Sequence, residues 1–393
     1  MKKLGLLSRL VLAIVLGIVI GSVAPEWVVR GLVTLSSIFG NFLSFMIPLI
    51  IIGFVAPGIG DLGQGAGKLL ALTVLIAYGS TLFAGSLAFF VDSALFPHLV
   101  ETAASHVGGN PEEALLKPFF EIEMPKIMGV MSALVFAFVM GVGMAQVKSR
   151  SLSNGMKEFQ SIIEKVLGGF IIPLLPLLIC GTFANLTYVG EVQMLLKTFA
   201  KVYFVIIGLH LTVIATQYTV ACLVAGRNPI KAIITMIPAY VTAIGTQSSA
   251  ATIPVTLRQT KENGVSEDVA DFVIPLCATI HLSGSTITIT SCAVAVMMMH
   301  GMSFSFATMF PFIMMLGLMM VAAPGVPGGA IMAALGVLQS MLGFGPDMQA
   351  LMIALYIAQD SFGTACNVTG DGAIAILVDR LKDMFIPKAK EAA

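Results

Sequence analysis

The stretch GTQSSAATIP, residues 245–254, interrupts an apolar segment that runs from 232 to 257. A helix needs about 20 apolar residues to cross a bilayer, and this segment has the length but breaks in the middle into Gly, Thr, Gln and two Ser. A break there frees backbone N–H and C=O groups, which at membrane depth are tolerated only where protein or a water-filled cavity satisfies them. The segment therefore reads as a re-entrant hairpin whose arms enter and leave on one side. A second stretch, AAPGVPGGAIM at 322–332, breaks the segment 304–342 in the same manner. Paired broken hairpins opening from opposite sides are the mark of an inverted repeat with a binding site near the midplane.

The rest of the chain supplies the setting. Of 393 residues 57% are hydrophobic and 11% charged, which places the chain among integral membrane proteins. Ordinary spans are predicted near 9–25, 31–56, 69–91, 127–147, 159–187 and 202–226. The N-terminal run imitates a signal peptide, but the polytopic remainder makes a retained first span the expectation. With the N-terminus inside, only Arg30, Lys117, Lys126, Lys197 and Lys201 of the 21 Lys and Arg fall outside. Both termini are thus expected in the cytoplasm, and Trp27 is an interfacial anchor. The net charge of zero gives no sign of nucleic acid. Cys180, Cys222, Cys277, Cys292 and Cys366 lie in apolar segments without metal-ligand spacing and read as small core residues. The Met-rich run 295–320 reads as adaptable packing, with no Cys or His cluster to make it a soft-metal track.

From Phe272 through Pro346 there is no Asp, Glu, Lys or Arg, and then QDSFGTACNVTGD at 359–371 brings two acids. At roughly 100° per residue, Asp360, Thr364, Asn367 and Asp371 form one polar stripe about 16 Å long. Each charge costs at least roughly 2.5 kcal/mol at this depth, so intramembrane acids are functional by default. A carboxylate here can join an oxygen cage for a hard cation such as Na⁺ or pair with a substrate ammonium. Hairpin tips, with free N–H groups at helix N-termini, suit a carboxylate. A small molecule with both groups is an amino acid.

TQSSAATIPVT, PLCATIHLSGS, GVPGGAIM and NVTGD, in this order and spacing, resemble the dicarboxylate/amino acid:cation symporters, the glutamate-transporter-like family. The resemblance covers nearly the whole chain. It implies an all-α polytopic fold of eight transmembrane helices plus two re-entrant helical hairpins in inverted repeats, an elevator mechanism and a homotrimer. Residues 1–68 would be scaffold helices 1–2, 69–91 transport-domain helix 3, 92–126 an external loop, 127–190 scaffold helices 4–5, and 191–393 the remaining transport domain. By matched position Asp360 would hold the substrate amino group, Thr364 and Asn367 would line the pocket, and Ser248 and Ser249 would receive the α-carboxylate. Val326 and Gly328 belong to the second tip, the gate. Asn367, Asp371 and carbonyls around Cys277 and His281 would form one Na⁺ site. Carbonyls of Thr279 and of the residues before PGVPGG would form another.

Departures from the family pattern set the substrate expectation. Acidic-substrate members carry an arginine where this chain has Gly363, and Gln247 stands where many relatives have an arginine. An uncompensated second carboxylate is costly in a dry pocket, so the expected substrate is a small neutral amino acid resembling serine, alanine or threonine, imported with Na⁺ across a bacterial-type inner membrane. His281 and Ser283 replace the Asn and Asp of the family's NMDGT, so a third sodium site that would include Tyr78 and Thr81 has lost its carboxylate. His281 is either a hydrogen-bonded core imidazole or a proton carrier. A proton-coupled carrier of the same fold is accordingly the first alternative, and an ion channel with a hairpin filter is the second. No HExxH, GxSxG or Ser/Lys constellation supports an enzyme.

Overall fold

A computed structural model describes residues 6–62, 68–99, 115–147, 150–190, 192–321, 323 and 327–385. The described chain is helical: α1 (Leu6–Val23), α2 (Glu26–Leu62), α3 (Lys68–Leu99), α4 (Val130–Val147), α5 (Arg150–Val166) and, after a π-turn at Leu167–Ile171, α6 (Ile172–Tyr188). Then come α7 (Val192–Ala225), α8 (Pro229–Thr235), α9 (Ile237–Thr246), α10 (Ser249–Glu262), α11 (Glu267–Ile280), α12 (Ser283–Met299), α13 (Phe306–Val321), α14 (Gly329–Leu342) and α15 (Pro346–Phe385).

Among the described residues five stretches are long and apolar enough to span a bilayer by themselves: Glu26–Gly60, Lys68–Leu99, Ser151–Tyr188, Leu195–Ala225 and Glu267–Met299. Helices α1 and α4, at 18 residues each, sit at the lower limit of length. Helix α15 runs for 40 residues, but its buried polar stripe lowers its hydropathy. Apolar faces turned outward, such as Val11, Leu12, Val15, Leu16 and Val19 of α1, suit acyl chains.

Both predicted breaks interrupt helices. Asn228 caps α8 by accepting from Lys231 N, and Pro229 opens that helix where its missing N–H is harmless. Helices α8 and α9 bend by 42° at Met236. Helix α9 stops at Gln247, whose φ of 51° makes it the one non-glycine in the left-handed region among the described residues. Ser248 then caps α10, its side chain accepting from Ala251 N, and α9 packs along α10. In the second hairpin α13 packs along α14, and Gly328, at φ 76°, opens α14. Residues 322 and 324–326 lie outside the described residues, so the expectation for Val326 does too.

Two groups of helices emerge from the packing. Helices α1, α4 and α5 pack on α2 or α6, and α2 packs on α6. Helix α15 packs on α7, α9, α10, α11 and α12. Helix α12 is buried at every residue, hydroxyl side chains included. The boundary expected at residue 92 requires correction: α3 continues to Leu99, and Asp92 is wholly buried in it. The apolar neighbours Phe89, Val91 and Phe96 bury one face of that last stretch, which outweighs its polar residues.

Candidate functional site

The stripe on α15 points inward, as its spacing requires. Asp360, Thr364, Asn367 and Asp371 are all buried. Asp360 Oδ2 accepts from Gly328 N at 2.7 Å, so the carboxylate holds the N-terminus of α14, while Thr364 Oγ1 lies 3.4 Å from Oδ1. Asn367 plays the corresponding part for α12. Its Oδ1 accepts from Gly284 N at 2.8 Å and Ser285 N at 3.3 Å, and its Nδ2 donates to Ser285 Oγ at 3.0 Å. Tyr356 OH donates to the same Ser285 oxygen at 2.9 Å. Two broken helix starts are therefore closed by side chains of one continuous helix, which satisfies N–H groups that the breaks leave free.

These groups surround a cavity of ≈ 30 Å³ lined by Gln247, Ser248, Ser249, Leu282, Ala323 and Ala330, with Ser285, Tyr356, Asp360, Thr364 and Asn367 behind them. Both tips, the α11–α12 break and α15 thus meet at one point. Of the residues expected to bind substrate, Ser248, Ser249, Asp360, Thr364 and Asn367 line the cavity, and Gly328 touches Asp360. Gly363 does not line it; a Cβ there would point at α12, 3.6 Å from Thr288 Oγ1. Gln247 Nε2 donates to Ser361 Oγ at 2.8 Å, which ties the first tip to α15.

One turn beyond Asn367, Asp371 Oδ1 meets His281 Nδ1 at 2.9 Å, with both side chains buried. His281 Nε2 lies 3.1 Å from Ser80 Oγ, and Gln217 Nε2 donates to Ser80 Oγ at 2.9 Å and lies 3.3 Å from Ser283 Oγ. Among the described residues Asp371 Oδ2 has no hydrogen-bond partner. The expected Na⁺ residues are thus not all gathered. Cys277 O accepts from His281 N and closes α11, and Thr279 is exposed, with its hydroxyl donating to Leu276 O. Asn367 Oδ1 is already shared by two N–H groups. Tyr78 and Thr81 donate to Met314 O and Ala77 O. Among the described residues no three His, Cys, Asp or Glu side chains come together as a metal cluster, so a cation here would depend on Asp371 Oδ2 and carbonyl oxygens. Sequence reading missed Ser80 and Gln217, which arrive from α3 and α7 with no local motif.

A helical membrane protein with acids at the meeting point of two broken hairpins is a solute transporter in architecture. The profile of the sodium:dicarboxylate symporter family matches residues 6–381, and the chain belongs to that family. It is 28% identical over 342 residues to the serine/threonine transporter SstT of Streptococcus suis (strain 05ZYH33), covering 84% of this chain and 94% of that protein. It is 26% identical over 390 residues to the protein of the same name from Streptococcus thermophilus (strain CNRZ 1066), covering 94% of each. The chain is therefore a multi-pass symport protein and not an enzyme.

Proposed function

We propose that this protein imports a small neutral amino acid, serine or threonine first among them, together with Na⁺. The observation that carries the substrate class is the cavity wall: Asp360 is its one charged residue among the described residues, and no Arg or Lys accompanies it. An ammonium offsets that carboxylate. The Ser248 and Ser249 end of the cavity, at the start of α10, suits an α-carboxylate, and a second acidic group would lie unpaired. The names of the relatives support the same class.

The tips act as gates in this reading. A cavity of ≈ 30 Å³ holds a water-sized group, so an amino acid requires the tips to part. Gly328 N occupies Asp360 Oδ2, the position an ammonium would take, so substrate entry and the closed second tip compete for one oxygen. Cation binding at Asp371 would then favour the arrangement that accepts substrate. Helices α1, α2 and α4–α6 serve as the scaffold of a homotrimer, while α3 and α7–α15 move across the membrane as an elevator. The protein sits in a bacterial-type inner membrane with both termini cytoplasmic.

Purified protein in liposomes should bind L-serine or L-threonine more tightly in Na⁺ than in choline, and aspartate weakly in both. Equal binding in the two salts overturns the sodium coupling. The His281–Asp371 contact favours a second reading, in which a proton replaces one metal cation at this position. Uptake driven by a pH gradient without sodium would select it.

A further inference from the structure

Outside this site one buried acid stands apart, Asp92. It lies in α3, two turns before the helix ends at Leu99, and its exposure is 0%. Among the described residues neither carboxyl oxygen has a formed hydrogen bond. Helix α3 packs on α12. A Cβ at Gly85 would lie 3.0 Å from Thr286 Cγ2, and two turns farther along α3 Asp92 faces Ser291. Ser291 Oγ is itself buried without a formed partner. The two unsatisfied groups therefore face each other across one seam, beside an aromatic cluster in which Phe89 contacts Phe90, Phe304 and Phe306.

No charge offsets Asp92 from the packed elements. From α12 the titratable neighbour is the thiol of Cys292. Helix α13 carries no ionisable side chain. On α7, Lys201 Nζ donates to Leu99 O at 3.1 Å, two turns along α3, and His210 Nε2 contacts Gly284 O and Thr288 Oγ1. On α15, Asp360 and Asp371 are engaged with Gly328 and His281 and Asp379 with Ser266 and Lys382, and the acids of α11 lie in its first turns. On α3 itself His98 stands exposed near the helix end. An ionised carboxylate would thus be a desolvated charge with no counterion. A carboxylic acid both donates and accepts, as a serine hydroxyl does, so in the protonated form Asp92 and Ser291 can satisfy each other with a hydrogen bond that is not formed in this arrangement. Na⁺ fits poorly, because both helices are continuous here and their carbonyls are spent in the helical ladder, whereas hard cations require several oxygens.

We propose that Asp92 is a proton-binding site in the α3–α12 seam, held as COOH when the seam is packed and exchanging as COOH ⇌ COO⁻ + H⁺ when water enters it. This site is separate from Asp360 and Asp371 and does not depend on the identity of the transported solute. The test is infrared spectroscopy of the purified, lipid-reconstituted protein at neutral pH. Wild type should show a protonated-carboxyl C=O band that Asp92→Asn lacks and that Ser291→Ala shifts to the frequency of a less hydrogen-bonded acid. The band should be the same in Na⁺ and choline. A spectrum unchanged in both variants overturns the proposal, and so does a band that vanishes when Na⁺ is added, which would make the seam a metal-cation site. Should Asp92→Asn fail to fold, the Ser291→Ala shift and the Na⁺ comparison still decide.

Discussion

At the scale of single residues, His281 determines what Asp371 can offer a cation. One carboxylate oxygen is taken by the imidazole and the other is free of partners. Removing the ring in His281→Ala leaves a buried acid with both oxygens bare, which should cost roughly 1–3 kcal/mol of stability and open Asp371 to metal. The expected result is a lower melting temperature in choline and a larger rise on adding Na⁺ than wild type shows. Equal Na⁺-induced shifts would mean that Asp371 does not take part in cation binding. Asp360→Asn should weaken neutral amino-acid binding by at least about tenfold through loss of the charge-assisted contact, measured by isothermal titration. The acidic stripe was legible because helical period alone fixes which residues share a face. Its partners were not. Ser80 and Gln217 reach His281 from α3 and α7, and long-range packing of this kind leaves no spacing to read. Asp92 was misread as loop because polar residues follow it, although Phe89, Phe90 and Phe96 around it carried the signal for a continuing helix.

Among the elements, the start of α12 shows how closely the helices are fitted. A Cβ on Gly284 would collide with Gly363 O and with Cys366 Cβ on α15, so the two helices touch backbone to backbone there. Gly284→Ala should therefore cost roughly 1–3 kcal/mol by overpacking and displace the N–H groups that Asn367 receives. Gly208→Ala in α7 is the control, since nothing lies within 4 Å of its Cβ position and alanine favours helix. Thermal melts in detergent should fall for the first and hold or rise for the second. The breaks that make such contacts possible were readable as Gly, Ser and Pro interruptions of apolar runs. What could not be read was which side chain closes each break. Asp360 for α14 and Asn367 for α12 emerge only from the packing of α15 against both starts.

For the molecule as a whole, α15 is the element that ties the parts together. At its last turns Asp379 accepts from Ser266 Oγ at 2.6 Å and pairs with Lys382 at 3.2 Å, while Arg227 lies 3.7 Å away and donates to Asn263 O and Gly264 O. This links the ends of α7, α10 and α15. In its middle the same helix carries Asp371 and Asp360, about three turns apart, one beside His281 and the other under the second tip. In the proposed cycle, a cation at Asp371 and a substrate that displaces Gly328 from Asp360 would both act on this one helix. If they favour the same arrangement, their binding must be linked, and linkage is reciprocal. Na⁺ should raise serine affinity by some factor, and serine should raise Na⁺ affinity by that same factor, as measured by paired titrations at saturating and zero partner. In Asp360→Asn the serine effect on Na⁺ should vanish while Na⁺ alone still stabilises the protein. Unequal factors in wild type, or a serine effect surviving in Asp360→Asn, would mean that the two ligands communicate by some route other than α15.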